Sequence, residues 1–154
     1  GRVIATCRSE HDKGVALLAG ADEVVLTDEK LTERVRGLAP EGIDHIVEVA
    51  FDANIETDIE LLALGGSIAT YAANEFTPNI PFWPLVFSNV TIFFIGSDDV
   101  PAEAKVRAAE AMNQALAAGW RGFEIAERFS LDAIAQAHEF VEQPTKPGRV
   151  IVTI

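Results

Sequence analysis

Short apolar segments alternate with longer amphipathic segments up to Gly119, and this alternation constrains the fold more than any other feature of the sequence. The apolar segments have the length of strands, and the segments between them have the spacing and end residues of helices. Parallel strands need crossover connections of helical length. The sequence therefore predicts an α/β fold with a doubly wound parallel sheet. We expect its strands at Val3–Thr6, 23–26, His45–Val49, 67–72 and 89–96.

The helical segments are marked by their end residues. Ser9 is expected to cap the first helix, and Gly20 is expected to end it. Gly65 and Gly66 are expected to close the third helix, and the proline- and aromatic-rich stretch 74–88 is expected to be an ordered loop with a turn or two. We predict helices at 9–21, 28–39, 52–66 and 98–119.

The alternation changes after Gly119, where a separate tail follows. A strand-like stretch at 123–130, a helix at 131–143 and a strand at 149–154 predict a βαβ-like unit. We therefore expect one domain over residues 1–122 and a C-terminal tail over residues 123–154.

Composition excludes some classes of partner. The 154 residues carry a formal net charge of −12, which argues against a nucleic-acid surface and against binding to anionic membranes. No apolar run reaches the length of a membrane-spanning helix. Because Cys7 is the single cysteine, an internal disulfide or a cysteine-cluster zinc site is excluded, and a reducing, cytoplasmic location is expected.

No cluster of catalytic residues stands out. The three histidines are expected to be packed or solvated, and Ser67, Ser88 and Ser97 show no nearby base pattern. Cys7 is more readily explained as a small residue that lines a turn than as a reactive thiol. We therefore predict no catalytic residue and no metal ligand in this chain.

The turn after the first strand carries the clearest chemical signal. In a dinucleotide-binding fold the residue at the end of the second strand meets the adenosine ribose, where an acid selects the free 2′-hydroxyl of NAD, whereas cationic and hydroxyl groups accept the 2′-phosphate of NADP. Here the turn contains Thr6, Arg8 and Ser9 and has no acid before Glu10, and Lys13 lies one turn further on. Arg8 can bind a phosphate with two hydrogen bonds. A solvated turn with a chance arginine is an equal alternative on residue types alone.

Several segments in their order resemble a known family. These are "VIATCRSE", "AGADEVV", "GIDHIVEVAFDANIETDIELLALGGSIATYA", "QALAAGW", "FSLDAIAQAHEFVEQ" and "KPGRVIVTI". Together they resemble the C-terminal half of the medium-chain dehydrogenase/reductase superfamily, in particular its zinc-free quinone oxidoreductase branch, which includes zeta-crystallin. Asn54 and Asp58 agree with that branch, whereas Phe51 stands where many relatives have glycine.

The resemblance implies that part of the nucleotide-binding domain lies outside this chain. No G-x-G-x-x-G motif occurs in the sequence. In the family, the first strand, its glycine loop and a catalytic domain lie upstream of the "VIAT" strand. The chain therefore looks like a truncated oxidoreductase: an incomplete, Rossmann-like NADP-binding domain that lacks its first strand, with a tail that belongs to the catalytic domain.

The resemblance also assigns the cofactor-binding positions. The ends of successive strands and one position in the tail are expected to face an NADPH molecule. These residues are Thr6, Arg8, Ser9, Lys13, Thr27, Ala50, Phe51, Tyr71, Ala72, Ile95, Gly96, Ser97 and Arg149.

The implied activity is hydride transfer from NADPH to a conjugated carbonyl, that is, a small-molecule quinone or enone, with this chain alone inactive. The family forms dimers through the last strand of the sheet, so "TIFFIG" and the loop around Phe82 and Trp83 are interface candidates, with core filling an equal alternative for the loop. A zinc-containing alcohol dehydrogenase of the same superfamily and a non-catalytic Rossmann-like binding module are the alternatives.

Overall fold

Strands and helices alternate along the chain in the computed structural model, which describes residues 1–96, 98–120, 124–143, 145–146 and 148–154. The chain forms two compact units, residues 1–106 and 107–154. The predicted α/β class is confirmed. The elements of the first unit are β1 (Ile4–Cys7), α1 (Glu10–Leu18), β2 (Glu23–Leu26), α2 (Leu31–Leu38), β3 (Ile43–Glu48), α3 (Phe51–Leu61), β4 (Leu62–Thr70), α4 (Phe82–Phe87), β5 (Thr91–Phe94) and the start of α5 (Ala102–Ala117).

The strands of the first unit pair in parallel, in two sheets. β1 pairs with β2, and β3, β4 and β5 form a second sheet in that order. Thr6 lies opposite Val25 in the first sheet, and Ile68 lies between Ile46 and Ile92 in the second. Helices connect the successive strands β1, β2, β3 and β4, as parallel pairing requires.

Apolar side chains from α3, β4 and α4 form the main core of the first unit. Phe51 and Ile55 on α3 pack with Ile68 on β4 and Leu85 on α4. Phe51 and Ile68 are the most deeply buried large side chains among the described residues, at 1% and 0% exposure. Since α3 follows β3 directly, this packing holds the helix against the three-stranded sheet.

A second cluster lies beside the two-stranded sheet. Val25 of β2, Val35 of α2 and Leu61 of α3 are buried together. The guanidinium of Arg36 donates to the Glu60 carbonyl at 3.0 Å. Because these contacts join α2 to α3, they connect the elements around the two sheets within one compact unit.

The end of α3 differs from the sequence prediction. The helix ends at Leu61, and Gly65 and Gly66 lie inside β4 instead of closing the helix. The pairing of β3 with β4 shifts register between Ile43 and His45, which makes room for extra residues in β4. Gly65 has φ +78°, and a Cβ on Gly66 would lie 3.1 Å from the Ile43 carbonyl oxygen. The glycines therefore serve an irregular strand, which only the pairing with β3 reveals.

The stretch 74–88 contains one short helix, α4, in agreement with the predicted turn or two. Helix α4 carries three exposed aromatic side chains, Phe82, Trp83 and Phe87. The rings of Trp83 and Phe87 stack with centroids 5.8 Å apart. The Gly65 amide donates to the Ser88 carbonyl at 2.8 Å, so the end of this helix is attached to β4.

The second unit contains the predicted βαβ-like tail, which is confirmed. β6 (Ile125–Ser130) continues through a 3₁₀ turn (Leu131–Ala133) into α6 (Ile134–Glu142), and β7 (Arg149–Thr153) pairs with β6 in parallel. The rings of Phe129 and Phe140 meet edge to face at 6.0 Å, which fixes α6 against β6. The expected boundary between residues 122 and 123 falls outside the described residues and stays a prediction.

Within the described part of the chain, no helix combines the length and the apolar character that crossing a membrane requires.

Two glycines test how closely the chain is packed between β3 and β4. Gly42 and Gly20 both have positive φ, +93° and +104°, but a Cβ on Gly42 would lie 2.5 Å from the Ala63 nitrogen, whereas one on Gly20 would meet nothing within 4 Å. Gly42→Ala is expected to lower the free energy of unfolding by about 3 kcal/mol, and Gly20→Ala by about 1–2 kcal/mol. Urea unfolding followed by circular dichroism measures both. Equal losses would contradict the close approach to Ala63.

Candidate functional site

The ends of the parallel strands place most of the predicted site residues. Strands that run parallel within one sheet end at the same edge, and ligands of such sheets bind outside the carboxyl ends. Arg8 follows β1 and Thr27 follows β2 in the first sheet. In the second sheet, Ala50, Tyr71 and Ile95 lie just beyond the ends of β3, β4 and β5. Most of the predicted residues that the structure describes in the first unit thus lie at the carboxyl edges of its sheets.

Ser9 caps α1, as the sequence predicts. Its hydroxyl oxygen accepts the Asp12 amide hydrogen at 3.1 Å and donates to the Asp12 carboxylate at 2.7 Å. Thr27 donates its amide hydrogen to the Cys7 carbonyl at 2.7 Å, which ties the ends of β1 and β2 together. The hydroxyl of Ser9 is therefore engaged in starting the helix.

Arg8 differs from the cations around it. Its side chain is exposed, and within the described residues it makes no hydrogen bond or ion pair. The Lys13 ammonium, one turn further on, lies 3.8 Å from the Glu10 carboxylate, and the Arg34 guanidinium lies 3.0 Å from the Asp28 carboxylate. Arg8 is thus a cation at the first residue after β1 with its hydrogen-bonding capacity still available.

A groove of about 610 Å³ lies between α1, β2 and α2. Lys13 and Arg34 supply cationic groups to it, and Leu26 and Leu38 supply apolar surface. Glu10, which pairs with Lys13, also lines the groove, so its lining carries charges of both signs. Among the predicted site residues, Lys13 lines it.

The turn from β3 into α3 is held by backbone hydrogen bonds. The Ala50 amide donates to the Glu48 carboxylate, and the Phe51 amide donates to the Ala72 carbonyl at 3.1 Å. The Phe51 side chain is buried in the core. Neither the ring nor the amide hydrogen of Phe51 therefore faces the solvent at this edge.

The start of α3 is also attached to the segment that follows β4. The Asp52 carboxylate accepts the backbone amide hydrogen of Asn74 at 2.8 Å and its side-chain amide at 3.3 Å. These contacts, the backbone one foremost, lower the pKa of Asp52 from its ordinary value. Sequence analysis missed this pair, because no local pattern shows that residues 52 and 74 meet.

The ends of β4 and β5 are joined by a hydrogen bond from the Ile95 amide to the Thr70 carbonyl at 2.9 Å. Beyond them, Tyr71 is exposed, and Ile95 and Gly96 line a groove of about 880 Å³ with Phe94. The predicted site residue Ser97 lies outside the described residues.

A buried polar cluster lies beneath the turn after β3. Asn54 donates through its side-chain amide to the two Glu48 carboxylate oxygens, 3.1 Å from each. Asp58, one turn further along α3, is buried, and burial together with the Glu48 charge raises its pKa to about 7. The resemblance marked Asn54 and Asp58, but only the structure shows that both face Glu48.

One expectation about serine was wrong. Ser67 lies opposite His45 in the register of β3 and β4, and its hydroxyl is 2.8 Å from the His45 Nδ1. The sequence shows no base pattern near Ser67, because strand pairing joins residues that are far apart in sequence. Both residues are three positions before the last residue of their strands, Glu48 and Thr70, so the pair is away from the carboxyl edge.

Arg149 lies in the second unit, at the first residue of β7. Its amide donates to the Glu124 carbonyl at 2.7 Å. The place of its side chain beside a cofactor stays a prediction.

The described residues contain no group of three or more histidine, cysteine, aspartate or glutamate side chains arranged to hold a metal ion.

The fold and the family model agree on the class of protein. Parallel strands with crossover helices define a doubly wound, Rossmann-like type of α/β fold. Residues 1–114 match the zinc-binding dehydrogenase family, and the chain belongs to this family. The resemblance to medium-chain dehydrogenases/reductases is thereby confirmed.

Curated relatives are quinone oxidoreductases. The chain is 26% identical to the quinone oxidoreductase of Lama guanicoe, over 99% of this chain and 47% of the relative. It is 24% identical to that of Rattus norvegicus, with the same coverage of each. The chain thus spans about half the length of the curated relatives it matches.

Solved structures share the fold. One described as an NAD-dependent alcohol dehydrogenase has a TM-score of 0.78 and 26% identity, over 99% of this chain and 44% of that one. The quinone oxidoreductase of Pseudomonas syringae has a TM-score of 0.80 and 18% identity, over 99% of this chain and 49% of that one. At the lower identity the likeness concerns the fold.

The contact between Asp52 and Asn74 depends on pH in a predictable direction. Because the folded state lowers the pKa of Asp52, the contact contributes stability above the ordinary value of 3.8 and loses it as the pH falls through the lowered pKa. Asp52→Ala is expected to make the Asn74 amide exchange roughly three- to tenfold faster near neutral pH. Hydrogen exchange by NMR measures this, with Glu56→Ala, an exposed acid on the same helix, as the control. An unchanged Asn74 amide would show that Asp52 does not hold it.

Proposed function

We propose that this chain is the nucleotide-binding portion of an NADPH-dependent quinone or enone oxidoreductase. Membership of the zinc-binding dehydrogenase family and similarity to curated quinone oxidoreductases support the reaction class. The single observation that carries the preference for NADPH is the guanidinium of Arg8 after β1, which has no partner among the residues that the structure describes. It stands where the fold class meets the adenosine ribose.

The chemistry around Arg8 suits a phosphate. A guanidinium binds two phosphate oxygens at once, and the amino end of α1 adds the positive end of a helix dipole. The two acids in the first turn of α1 are engaged, because the Asp12 carboxylate accepts a hydrogen bond from the Ser9 hydroxyl and the Glu10 carboxylate lies 3.8 Å from the Lys13 ammonium. Ser9 therefore acts as a positioning residue for the start of α1, and Arg8 binds the 2′-phosphate.

The other strand ends would follow the rest of the cofactor. Thr27 would lie on the adenosine side with Lys13, and the turn at Ala50 would lie where the cofactor approaches the backbone closely. Five residues would face the nicotinamide: Tyr71, Ala72, Ile95, Gly96 and Ser97. Phe51 would contribute indirectly, because its buried ring and its bond to Ala72 fix the turn that carries Ala50. For Arg149, in the second unit, a cofactor contact rests on the resemblance alone.

NADPH supplies the hydride, and this chain supplies orientation and an apolar surface around the ring. We expect the proton donor for the reduced carbonyl to come from outside this chain. The family's catalytic domain would provide that group in the complete enzyme. The tail beyond residue 122 would belong to the catalytic domain.

The dimer and the cytoplasmic location stay predictions. β5 is an edge strand of its sheet, and its residues Phe93 and Phe94 are exposed. Exposed apolar edge strands favour pairing with another strand. These features support a homodimer through β5, with the aromatic side chains of α4 as further contacts.

A zinc-containing alcohol dehydrogenase is the second candidate, favoured by the 26% identity to a structure described as an NAD-dependent alcohol dehydrogenase. Its zinc ligands would come from the other half of such a protein. Metal analysis of the complete protein distinguishes the two, since stoichiometric zinc would support the alcohol dehydrogenase.

Arg8 is the residue that tests cofactor choice. Arg8→Ala is expected to raise the Kd for NADPH roughly 10- to 100-fold and to change the Kd for NADH little, because the lost contact is a charge-assisted one to the 2′-phosphate. NMR titration with each cofactor detects even weak binding. Arg2→Ala is the matched control, since Arg2 precedes β1 and bonds to the Leu38 carbonyl at 2.7 Å. Equal losses for both cofactors would contradict a phosphate role.

The chain alone is expected to show no quinone reduction with NADPH at an ordinary enzyme rate, on the order of 1–1,000 s⁻¹. A curated quinone oxidoreductase assayed in parallel by NADPH absorbance is the positive control. Turnover at such a rate by this chain alone would refute the proposal that the catalytic domain is needed for the reaction.

A further inference from the structure

Glu48, Asn54 and Asp58 form a buried polar cluster that the proposed cofactor contacts do not use. Glu48 is the last residue of β3, and the other two lie four positions apart on α3, hence on one face of the helix. Glu48 and Asp58 are each 6% exposed. Two acidic groups are thus withdrawn from water on facing elements.

The hydrogen bonds of the cluster are incomplete in one place. Glu48 accepts hydrogen bonds from the Ala50 amide and from the Asn54 side chain. In contrast, the Oδ2 atom of Asp58 has no hydrogen-bond partner within the described part of the chain. A buried carboxylate oxygen that lacks a donor is costly, and the charge of a second carboxylate beside it adds to that cost.

A single proton removes both costs. With a proton on Asp58, its hydroxyl can donate to the Glu48 carboxylate, and one negative charge remains instead of two. We propose that Glu48 and Asp58 share one proton and, through Asn54 and the Ala50 amide, form a clamp that positions the turn between β3 and α3, and that the clamp loosens when this proton leaves.

The other charged groups around α3 do not take the place of Glu48 as the charged neighbour of Asp58. Those on the facing strand and helix are Asp44, His45, Glu48, Glu33, Arg34 and Arg36, and β4, β5 and α4 carry none. Arg34 pairs with Asp28, and Arg36 donates to the Glu60 carbonyl. On α3 itself, Glu56 and Glu60 are exposed, and Asp52 accepts from Asn74.

The pH range follows from the Asp58 carboxyl group. Burial, and then the Glu48 charge, raise its pKa from 3.8 to about 7. Between these values the folded state keeps a proton that the unfolded state has released. The stabilisation is therefore fully present below the ordinary pKa and is lost as the pH rises to about 7 and beyond.

The clamp has a consequence for binding, and this part rests on the proposed function. The Ala50 amide is held by Glu48, and the next amide, that of Phe51, is bonded to Ala72 at the end of β4. A looser turn would therefore disturb the ends of β3 and β4 at the edge where the cofactor is proposed to bind. We expect NADPH affinity to fall as the pH rises through 7, and to fall less in Asp58→Asn.

Asp58→Asn is the decisive variant, because an asparagine amide can donate to Glu48 without titrating. The unfolding equilibrium constant, from urea titrations, is measured between pH 5 and 8. In the wild-type chain it should rise roughly a hundredfold more than in Asp58→Asn. Glu56→Gln, which removes an exposed acid from the same helix, should keep the wild-type dependence. Any contribution of His45 is common to all three proteins and cancels.

Carbon-13 NMR titration of the Asp58 carboxyl group in the wild-type chain decides the same point without a variant. A midpoint near 7 supports the shared proton, and a midpoint near 4 overturns it, as do parallel pH profiles for wild type and Asp58→Asn. If the chain binds no NADPH at any pH, the proposed function is overturned. The urea titrations and the carbon-13 titration of Asp58 then still decide whether the proton is shared. NADPH binding with the same pH dependence in wild type and Asp58→Asn overturns the positioning role.

Discussion

The attachment of α3 to the three-stranded sheet is the interaction on which the rest of the first unit depends. Phe51 places its ring in the core against Ile68, and its amide bonds to Ala72 beyond the end of β4. One residue thus connects the apolar core to the edge where the strands end. Because its packing and its hydrogen bond act at the same point, a shift of the helix would move both strand ends together.

The carboxyl edge combines groups that are engaged in hydrogen bonds with one cation that is not. Ser9, Asp52 and Ala50 are engaged in hydrogen bonds that start helices or close turns. Arg8 has no such bond in the described part of the chain, although the whole sequence carries a net charge of −12. A cation that is left available among so many acids is suited to a local anion, and net charge does not describe such a site.

The local parts of the fold could be predicted from the sequence, whereas the irregular parts could not. β2 has the bounds that its apolar run predicts, and Ser9 caps α1 as expected. Gly65 and Gly66 belong to β4, because pairing with β3 outweighs the tendency of glycine to end a helix. The pairing of His45 with Ser67 was missed for the same reason, since a strand register depends on distant residues.

The sequence by itself determined the order of strands and helices, the cationic turn at Arg8 and the family, because these depend on local periodicity and on residue types in order. Only the tertiary structure decided that the Phe51 ring is buried, that Ser9 is engaged with Asp12 and that Asp58 faces Glu48. Burial and the proximity of like charges arise when a strand and a helix pack together. No pattern within either element specifies which of its polar groups will lose water and meet.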